Sequence, residues 1–473
     1  MGKKEPFHVD VSSLHSNVTG SCIISNVRFP DGGKLPFITD CGLFQSRDEG
    51  KYNDMLPFNP EQIEFGLVTH GHTDHIGRLP LMVRRGFRNP IYTTRDTQSI
   101  MAVSLPDSAK VIRSDVKSGR IDHPIYTDTD VARTMQLVKG CNFEQTIHVN
   151  ENVDVTFFNN GHLFGAALVL VQIKYPSEEN INILFTGDYK GDNVFLNLAP
   201  LPEWLYELPI TIVSECTYGY MDSSEIKEVF SDNVLRCVRD GGTVVVPTFA
   251  LGRMQEVLYL LKRLENEGLL PLEIPIYVDG ELGIKYTTLC SKGVFNIKEE
   301  MKDFLPENVI FVDKLTRRSI IQDQDSCKII VTTSGMGSFG PAQTYIPAYI
   351  SNENALIHFT GFTVKDTLGG RLKNTPKGEW VEMMGKEYRK LANVEYTSEF
   401  SAHAKADELI AFLQQFKHLN LVLLNHGEES VKDMFAKRVM QEVSPKAVAL
   451  LGRGSLFRIN PYGLVKIKAI KFI

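Results

Sequence analysis

The sequence predicts an α/β protein in which a sheet sandwich is interrupted by a separate parallel-sheet domain. Three observations carry that expectation. Metal-type side chains recur where apolar strands end: His70, His72, Asp74 and His75 after one run, His162 and Asp188 after two others. Residues from about 209 to 398 instead alternate short apolar strands with helical stretches, the pattern of a parallel sheet. Metal-type residues then return at His403 and His426, so the middle block reads as an insertion.

In chain order, Ser21–Val27 and Leu35–Asp40 read as early strands around the turn Asp31-Gly32-Gly33. Ile63–Val68 reads as a buried strand, and Leu79–Val83 as the start of a helix. Thr-His-Gly-His-Thr-Asp-His-Ile-Gly lies between them, outside a strand's carboxyl end, where ligands gather in α/β proteins. A strand at Ile91–Thr93 and helices at Thr94–Leu105 and Thr127–Lys139 follow. Strands are expected at Ile147–Val149, Val153–Asn159, Leu168–Tyr175 and Ile181–Phe185. Ile210–Val213 ends in Glu215, and a helix is expected over Ser224–Arg239. Thr243–Pro247, Ile274–Val278, Val309–Val312, Lys328–Thr332 and Ala355–Phe359 are short apolar strands, with a helix at Arg253–Glu265. A helix at Ala406–Phe416 leads to the strand Leu421–Leu424, which ends in Asn-His-Gly-Glu. Residues 447–473 supply final strands that close the first sheet.

Composition bounds the function. The chain has 473 residues, 43% hydrophobic and 23% charged, enough for a large core and two to four domains. Net charge is −6, which argues against nucleic-acid binding by bulk positive charge but leaves room for a local basic channel. The seven cysteines are scattered, odd in number and form no CxxC, so they read as reduced thiols in a cytoplasmic protein. The start of the chain has no apolar signal region, and Pro6 stands where a myristoylation pattern wants Ser or Thr. No apolar run reaches ~18 residues, so no membrane association is expected.

His70 and His72 are two apart, so in an extended segment both rings point the same way and reach one ion. Asp74 and His75 lie beyond, where the chain turns into a helix, and can reach a second ion. Imidazole and carboxylate without thiolate suit Zn²⁺, with Mn²⁺ or Fe as lesser options. Two ions roughly 3.5–4 Å apart clamp both oxygens of a displacement and need a bridging carboxylate, for which Asp188 is the best placed. His8, His15, His123, His148, His358 and His418 lack such company and read as ordinary histidines.

With these motifs in hand, the chain resembles the metallo-β-lactamase-fold β-CASP ribonucleases. It is similar to the bacterial and archaeal proteins related to the cleavage and polyadenylation endonuclease subunit. Asp40, His70-x-His72-x-Asp74-His75, His162 and Asp188 match the hydrolase motifs in order. Glu215 in Ser-Glu-Cys-Thr-Tyr-Gly, His403 in Phe-Ser-Ala-His and His426 in Asn-His-Gly-Glu match those that follow. Pro247–Arg253, Ser334-Gly335-Met336 and Thr367–Arg371 also look like this family. The resemblance implies an αββα metallo-β-lactamase sandwich over residues 1–208 and 399–473, with an inserted parallel-sheet β-CASP domain over 209–398.

It implies roles as well. His70, His72 and His162 would bind one zinc; Asp74, His75 and His426 would bind the other, with Asp188 bridging. Asp40 would orient ligands from behind, and both Asp40 and Asp74 count with the catalytic residues. An activated water would attack phosphorus, His403 would protonate the leaving oxygen, and Glu215 would orient and charge His403. The expected activity is zinc-dependent RNA hydrolysis, endonucleolytic with 5′-exonuclease activity open, in RNA processing or decay. RNA is the expected partner, with Arg253, Lys365 and Arg371 as candidate phosphate contacts. Dimerisation is common in relatives, and the C-terminal strands are the expected contact of a homodimer. The chain departs from the family pattern at Ala404-Lys405, where relatives often have an acid, and at Gly370-Arg371, where many have two arginines. Two other readings compete. A non-catalytic RNA-processing scaffold would have lost ligands, and all seven are here. A small-molecule metallo-hydrolase would lack so long an insertion.

Overall fold

Period-2 alternation builds the first sheet. In His8–Ser13 the side chains of Val9 and Val11 face inward, and Phe37 does the same in Lys34–Thr39. The computed structural model describes residues 6–45, 49–361, 363 and 365–469, and the chain divides into two compact units. The first comprises residues 1–223 and 403–473, the second 224–402. Residues 1–5 of the chain's start and 470–473 of the expected final strands lie outside the described residues.

Within the described residues the first unit carries an eight-stranded and a seven-stranded sheet. The larger runs Gly463–Ala469, Ser455–Asn460, His8–Ser13, Ile23–Arg28, Lys34–Thr39, Phe65–Leu67, Ile91–Thr94, Val138–Cys141. The smaller runs Val448–Leu450, Leu419–Leu424, Ile210–Ser214, Ile181–Phe185, Ala167–Ile173, Val153–Asn159, Thr146–Asn150. Their inner faces meet in one core that includes Val11, Phe37, Phe65, Phe157, Val169, Phe185 and Leu423. The Phe37 and Phe65 rings stack at 4.9 Å. Each such side chain contributes about 1.5–3 kcal/mol through burial. Helices Leu79–Arg84, Arg95–Lys117 and Asp128–Leu137 cover the outer face of the first sheet. Ala406–Leu413 and Glu429–Arg438 cover that of the second. The result is the helix–sheet–sheet–helix sandwich expected. Its C-terminal part is integral: Leu419–Leu424 lies parallel between Ile210–Ser214 and Val448–Leu450, and Ser455–Asn460 pairs antiparallel with His8–Ser13.

In the second unit near-continuous apolar runs such as Thr243-Val-Val-Val-Pro make strands buried on both faces. Its six-stranded sheet runs Val309–Phe311, Ile276–Asp279, Lys328–Thr332, Thr243–Pro247, Leu356–Phe359, Asn393–Tyr396, and every pairing is parallel. Connecting helices include Arg253–Asn266, Glu281–Ser291 and Ala342–Tyr349. At the foot of the sheet's carboxyl edge, buried Asp279 accepts from Arg317 Nε at 2.5 Å, Arg317 Nη2 at 2.7 Å and Tyr345 Oη at 2.8 Å.

Several elements differ from expectation. The helix expected to stop at Leu105 continues to Lys117 with Pro106 inside it, because buried Ala109 and Ile112 prolong its apolar face. The helix expected to run to Lys139 stops at Leu137, and Val138–Cys141 becomes the edge strand beside Ile91–Thr94. The helix expected from Ser224 begins at Phe230. Its cap comes from far along the chain: Glu399 Oε2 accepts from Val229 N at 2.8 Å and Phe230 N at 3.4 Å.

Candidate metal centre

The strand Phe65–Leu67 delivers an extended segment that carries His70 and His72, and His72 then caps the helical turn Thr73–Ile76. His70 Nε2 lies 3.2 Å from His72 Nδ1, and His162 Nε2 lies 3.2 Å from the same atom. On the other side of the turn, His75 Nε2 and His426 Nε2 are 3.3 Å apart, with Asp74 Oδ2 3.8 Å from His426 Nε2. Asp188 stands between the two groups. Its Oδ2 is 3.5 Å from His70 and 3.7 Å from His162; its Oδ1 is 3.3 Å from both His75 Nε2 and His426 Nδ1. All seven residues belong to the first unit.

These distances fit metal ions. A tetrahedral site with Zn–N bonds of about 2.0–2.1 Å has ligand–ligand edges of about 3.3–3.4 Å. Nitrogen atoms that converge to 3.2–3.3 Å match such edges. Among the described residues nothing donates a hydrogen bond to buried Asp188 Oδ1, although two imidazole nitrogens lie beside it, as suits an atom that faces a cation. The ligand atoms of His70, His72, His162 and Asp188 all lie within 4.8 Å of one another, as do those of Asp74, His75 and His426.

The rings are held from behind. Thr69 Oγ1 lies 3.1 Å from His70 Nδ1. Asp40 accepts Thr69 N–H at 2.8 Å through Oδ1. Its Oδ2 accepts Thr69 Oγ1–H at 2.8 Å and faces His75 Nδ1 at 2.7 Å. Each bond turns an Nε2 lone pair into the site. Asp40 reaches this position with φ +59°, a left-handed conformation Asp tolerates better than most residues. Gly42 lets the same segment pass: a Cβ there would lie 1.5 Å from Asp74 O. Thr217 Oγ1 lies 3.1 Å from His426 Nδ1. Asn160 ties two loops together, donating to Thr186 O at 2.9 Å and Asp188 O at 2.6 Å while accepting from His162 N at 3.1 Å.

Electrostatics agree with the geometry. Burial, helped by the neighbouring rings, pushes His70 well below the ordinary histidine value, and burial brings His72 to about 4. Both rings are therefore neutral, the state a metal ligand needs. For His75 burial acts downward, but the Asp188 and Asp40 carboxylates outweigh it and raise the ring well above its usual value. Burial acts upward on Asp188, yet the surrounding histidines, His426 first, hold it well below the usual carboxylate range. A proton on His75 thus stands where the negative field calls for a larger positive charge.

Beside this cluster, His403 Nδ1 lies 3.0 Å and 3.1 Å from the two Glu215 oxygens, while its Nε2 faces Asp188 Oδ2 at 3.9 Å. Buried Glu215 also accepts Tyr189 N–H at 2.5 Å and Thr217 N–H at 3.3 Å. Asp188, Glu215, His403 and His426 meet the same ligand-spacing condition. The Glu215 oxygens, however, are already engaged by these donors, so the pair reads as a charged acid and its orienter. Burial lowers His403, but Glu215 and then Asp188 outweigh it and raise the ring above its ordinary value.

Arg253, Lys365 and Arg371 belong to the second unit. Arg253 opens the helix Arg253–Asn266 with a side chain only 10% exposed, and its Nη1 pairs with Glu256 at 3.1 Å. Lys365 and Arg371 are exposed, the latter on the helix Leu368–Asn374. Thr69, Asn160 and Thr217 escape a reading that looks for ligands. Their signal is a hydroxyl or amide within two residues of a motif residue: Thr69 directly before His70, Asn160 two before His162, Thr217 two after Glu215.

Comparison with known proteins places these observations in a family context. Residues 254–372 match the Beta-Casp domain, and 387–449 match the Zn-dependent metallo-hydrolase RNA specificity domain. The chain is 27% identical over 434 residues to a ribonuclease of Thermus thermophilus, an alignment covering 89% of this chain and 94% of that protein. It is 28% identical to transcription termination factor FttA of Methanosarcina mazei, over 87% of this chain and 66% of the factor. It is 29% identical to Integrator complex subunit 11 of Danio rerio, over 90% of this chain and 70% of that subunit.

Proposed function

The chain belongs to the metallo-β-lactamase-fold β-CASP nucleases and is a metal-dependent ribonuclease, and we propose that it cuts RNA at a dinuclear zinc centre with His403 as proton donor. His70, His72 and His162 would hold one ion and Asp74, His75 and His426 the other, with Asp188 shared. When bound, the metal pair supplies Lewis-acid charge and lowers the pKa of water, so that phosphodiester hydrolysis proceeds near neutral pH. The residues do the rest. Asp40 and Thr69 orient His75 and His70. Glu215 holds His403 by Nδ1 and favours its charged form, which leaves Nε2–H turned toward Asp188 and the substrate side. His403 donates that proton to the departing sugar oxygen as the P–O bond breaks.

The observation that carries this reading is the Glu215–His403 pair beside two converging ligand sets, since a water activator alone leaves the alkoxide unprotonated. Scattered free thiols suit a reducing cytoplasm. Among the described residues no helix is long and apolar enough to cross a membrane. The homodimer rests on the family resemblance. Arg253, Lys365 and Arg371 are proposed as phosphate contacts on the charge of their side chains. The test is His403→Ala. Metal analysis should still find about two zinc equivalents, as the two-ion template requires, while RNA cleavage falls by about 10²–10⁴. Normal turnover in that variant would refute the assignment.

A further inference from the structure

We propose that Tyr220, supported by Tyr218, is a stacking ledge for the base of the nucleotide that carries the leaving oxygen. This rests on His403 as proton donor. The segment from Cys216 to Ser223 is a rigid turn. Gly219 N donates to Cys216 O at 3.0 Å, and Met221 N to Tyr218 O at 3.1 Å. Its far end is anchored as well: Ala406 N donates to Met221 O at 2.9 Å, Ser223 N to Asp407 Oδ1 at 2.9 Å, and Arg438 Nη1 to Asp222 Oδ1 at 2.6 Å. On this fixed turn the Tyr220 side chain stands 47% exposed, whereas Tyr218 is only 7% exposed.

The rings form a series that starts at the proton donor. His403 and Tyr218 have centroids 6.2 Å apart, and Tyr218 and Tyr220 follow at 5.9 Å with a 41° tilt. The Tyr218 ring is held by Lys405 Nζ, 3.5 Å from its centroid, and the backbones of Tyr218 and Lys405 form a parallel bridge. A residue at the position where relatives often have an acid therefore serves here to hold an aromatic wall. The atom that takes the His403 proton is a sugar oxygen, so that nucleotide's base lies within reach of the ring series that starts at His403. Stacking accepts any base, because every base has a π-face. It also grips RNA without charge, which a chain of net charge −6 needs.

The test uses the whole protein and an RNA 12-mer with one cleavage site, intact or with an abasic nucleotide on either flank of the scissile bond. End analysis of the products identifies the nucleotide that keeps the leaving oxygen. For the wild type, removing that base should raise KM about 5- to 100-fold. Tyr220→Ala should raise KM on the intact RNA by a similar factor, with unchanged metal content, and should lose nothing more on that abasic RNA. Tyr220→Trp should restore KM. An unchanged KM in Tyr220→Ala, or an equal loss on intact and abasic RNA, overturns the ledge. If the wild type cleaves no RNA, the nuclease reading falls instead. The ledge is then judged by anisotropy of labelled RNA on His403→Ala with and without Tyr220→Ala, and equal Kd values sink it.

Discussion

Asp40→Asn isolates the role of a residue that stands behind the candidate ligands, on Thr69 and His75 Nδ1. The substitution keeps the side-chain shape, and Asn accepts φ +59° as Asp does. One oxygen becomes an NH₂ group, and its placement is forced. At the Oδ1 position it would face the Thr69 backbone N–H 2.8 Å away, a donor that cannot change. It therefore takes the Oδ2 position, against His75 Nδ1 at 2.7 Å. His75 can satisfy it only by moving its proton to Nε2, the atom 3.3 Å from His426 Nε2 and from Asp188 Oδ1. A protonated Nε2 cannot ligate. Disturbing such a supporting bond typically costs 10- to 100-fold in metal affinity, about 1.4–2.7 kcal/mol. The His70–His72–His162 group meets Asp40 Oδ2 only through Thr69 Oγ1, which can accept from both the new NH₂ and His70 Nδ1, so it should lose far less. The assay is dialysis against graded chelator followed by elemental analysis. Asp40→Asn should drop from about two metal equivalents to about one at chelator concentrations the wild type withstands. Retention of both, with affinity within threefold of wild type, would refute the tautomer argument. So would equal loss from both groups in a protein with native circular dichroism.

Two further substitutions test the scaffold. Gly42→Ala puts a methyl 1.5 Å from Asp74 O, a backbone atom that cannot yield. The loop must move, so stability should fall by about 1–3 kcal/mol or more in urea unfolding. Asp74's group should also bind metal more weakly; a variant that matches wild type in both would show that the segment is compliant. In the second unit, Arg317→Leu strips the bidentate partner from buried Asp279 and leaves, among the described residues, Tyr345 Oη. An uncompensated buried carboxylate costs about 3–5 kcal/mol, with the lower end favoured because Arg317 is partly solvated. A change below about 1 kcal/mol in chemical denaturation would contradict that account.

The candidate ligands that the structure brings together are legible in the sequence because metal chemistry restricts residue type and because strand ends announce themselves. His70 and His72 could be paired from their spacing alone. His162, Asp188 and His426 needed the further rule that distant strand ends share one edge. What supports those ligands was not legible. Thr69, Asn160 and Thr217 act through hydrogen bonds alone, and their residue types are common in every loop. The helix Arg95–Lys117 runs past its expected end at Leu105, because burial of Ala109 and Ile112 overrides the local preference set by Pro106. The start of Phe230–Arg239 could not be read locally, since the carboxylate that caps it comes from Glu399. The hairpin Trp380–Met383 with Lys386–Arg389 turns at Met384-Gly385, both at positive φ. Methionine there hides a turn that Asn-Gly would have advertised.

The order in which the site's residues leave the ribosome has a consequence of its own. A nascent chain that stops before the second unit already owns His70, His72, Asp74, His75, His162, Asp188 and Glu215. It lacks His403, the proposed proton donor, and His426, the last of the proposed ligands. His426 follows the strand Leu419–Leu424, which must slide in parallel beside Ile210–Ser214, across a sequence gap of about two hundred residues. On the proposed mechanism, a polypeptide surrounded by ribosomal RNA stays inert until His403 and His426 have been made and the strand that precedes His426 has docked. That strand then works as a safety catch.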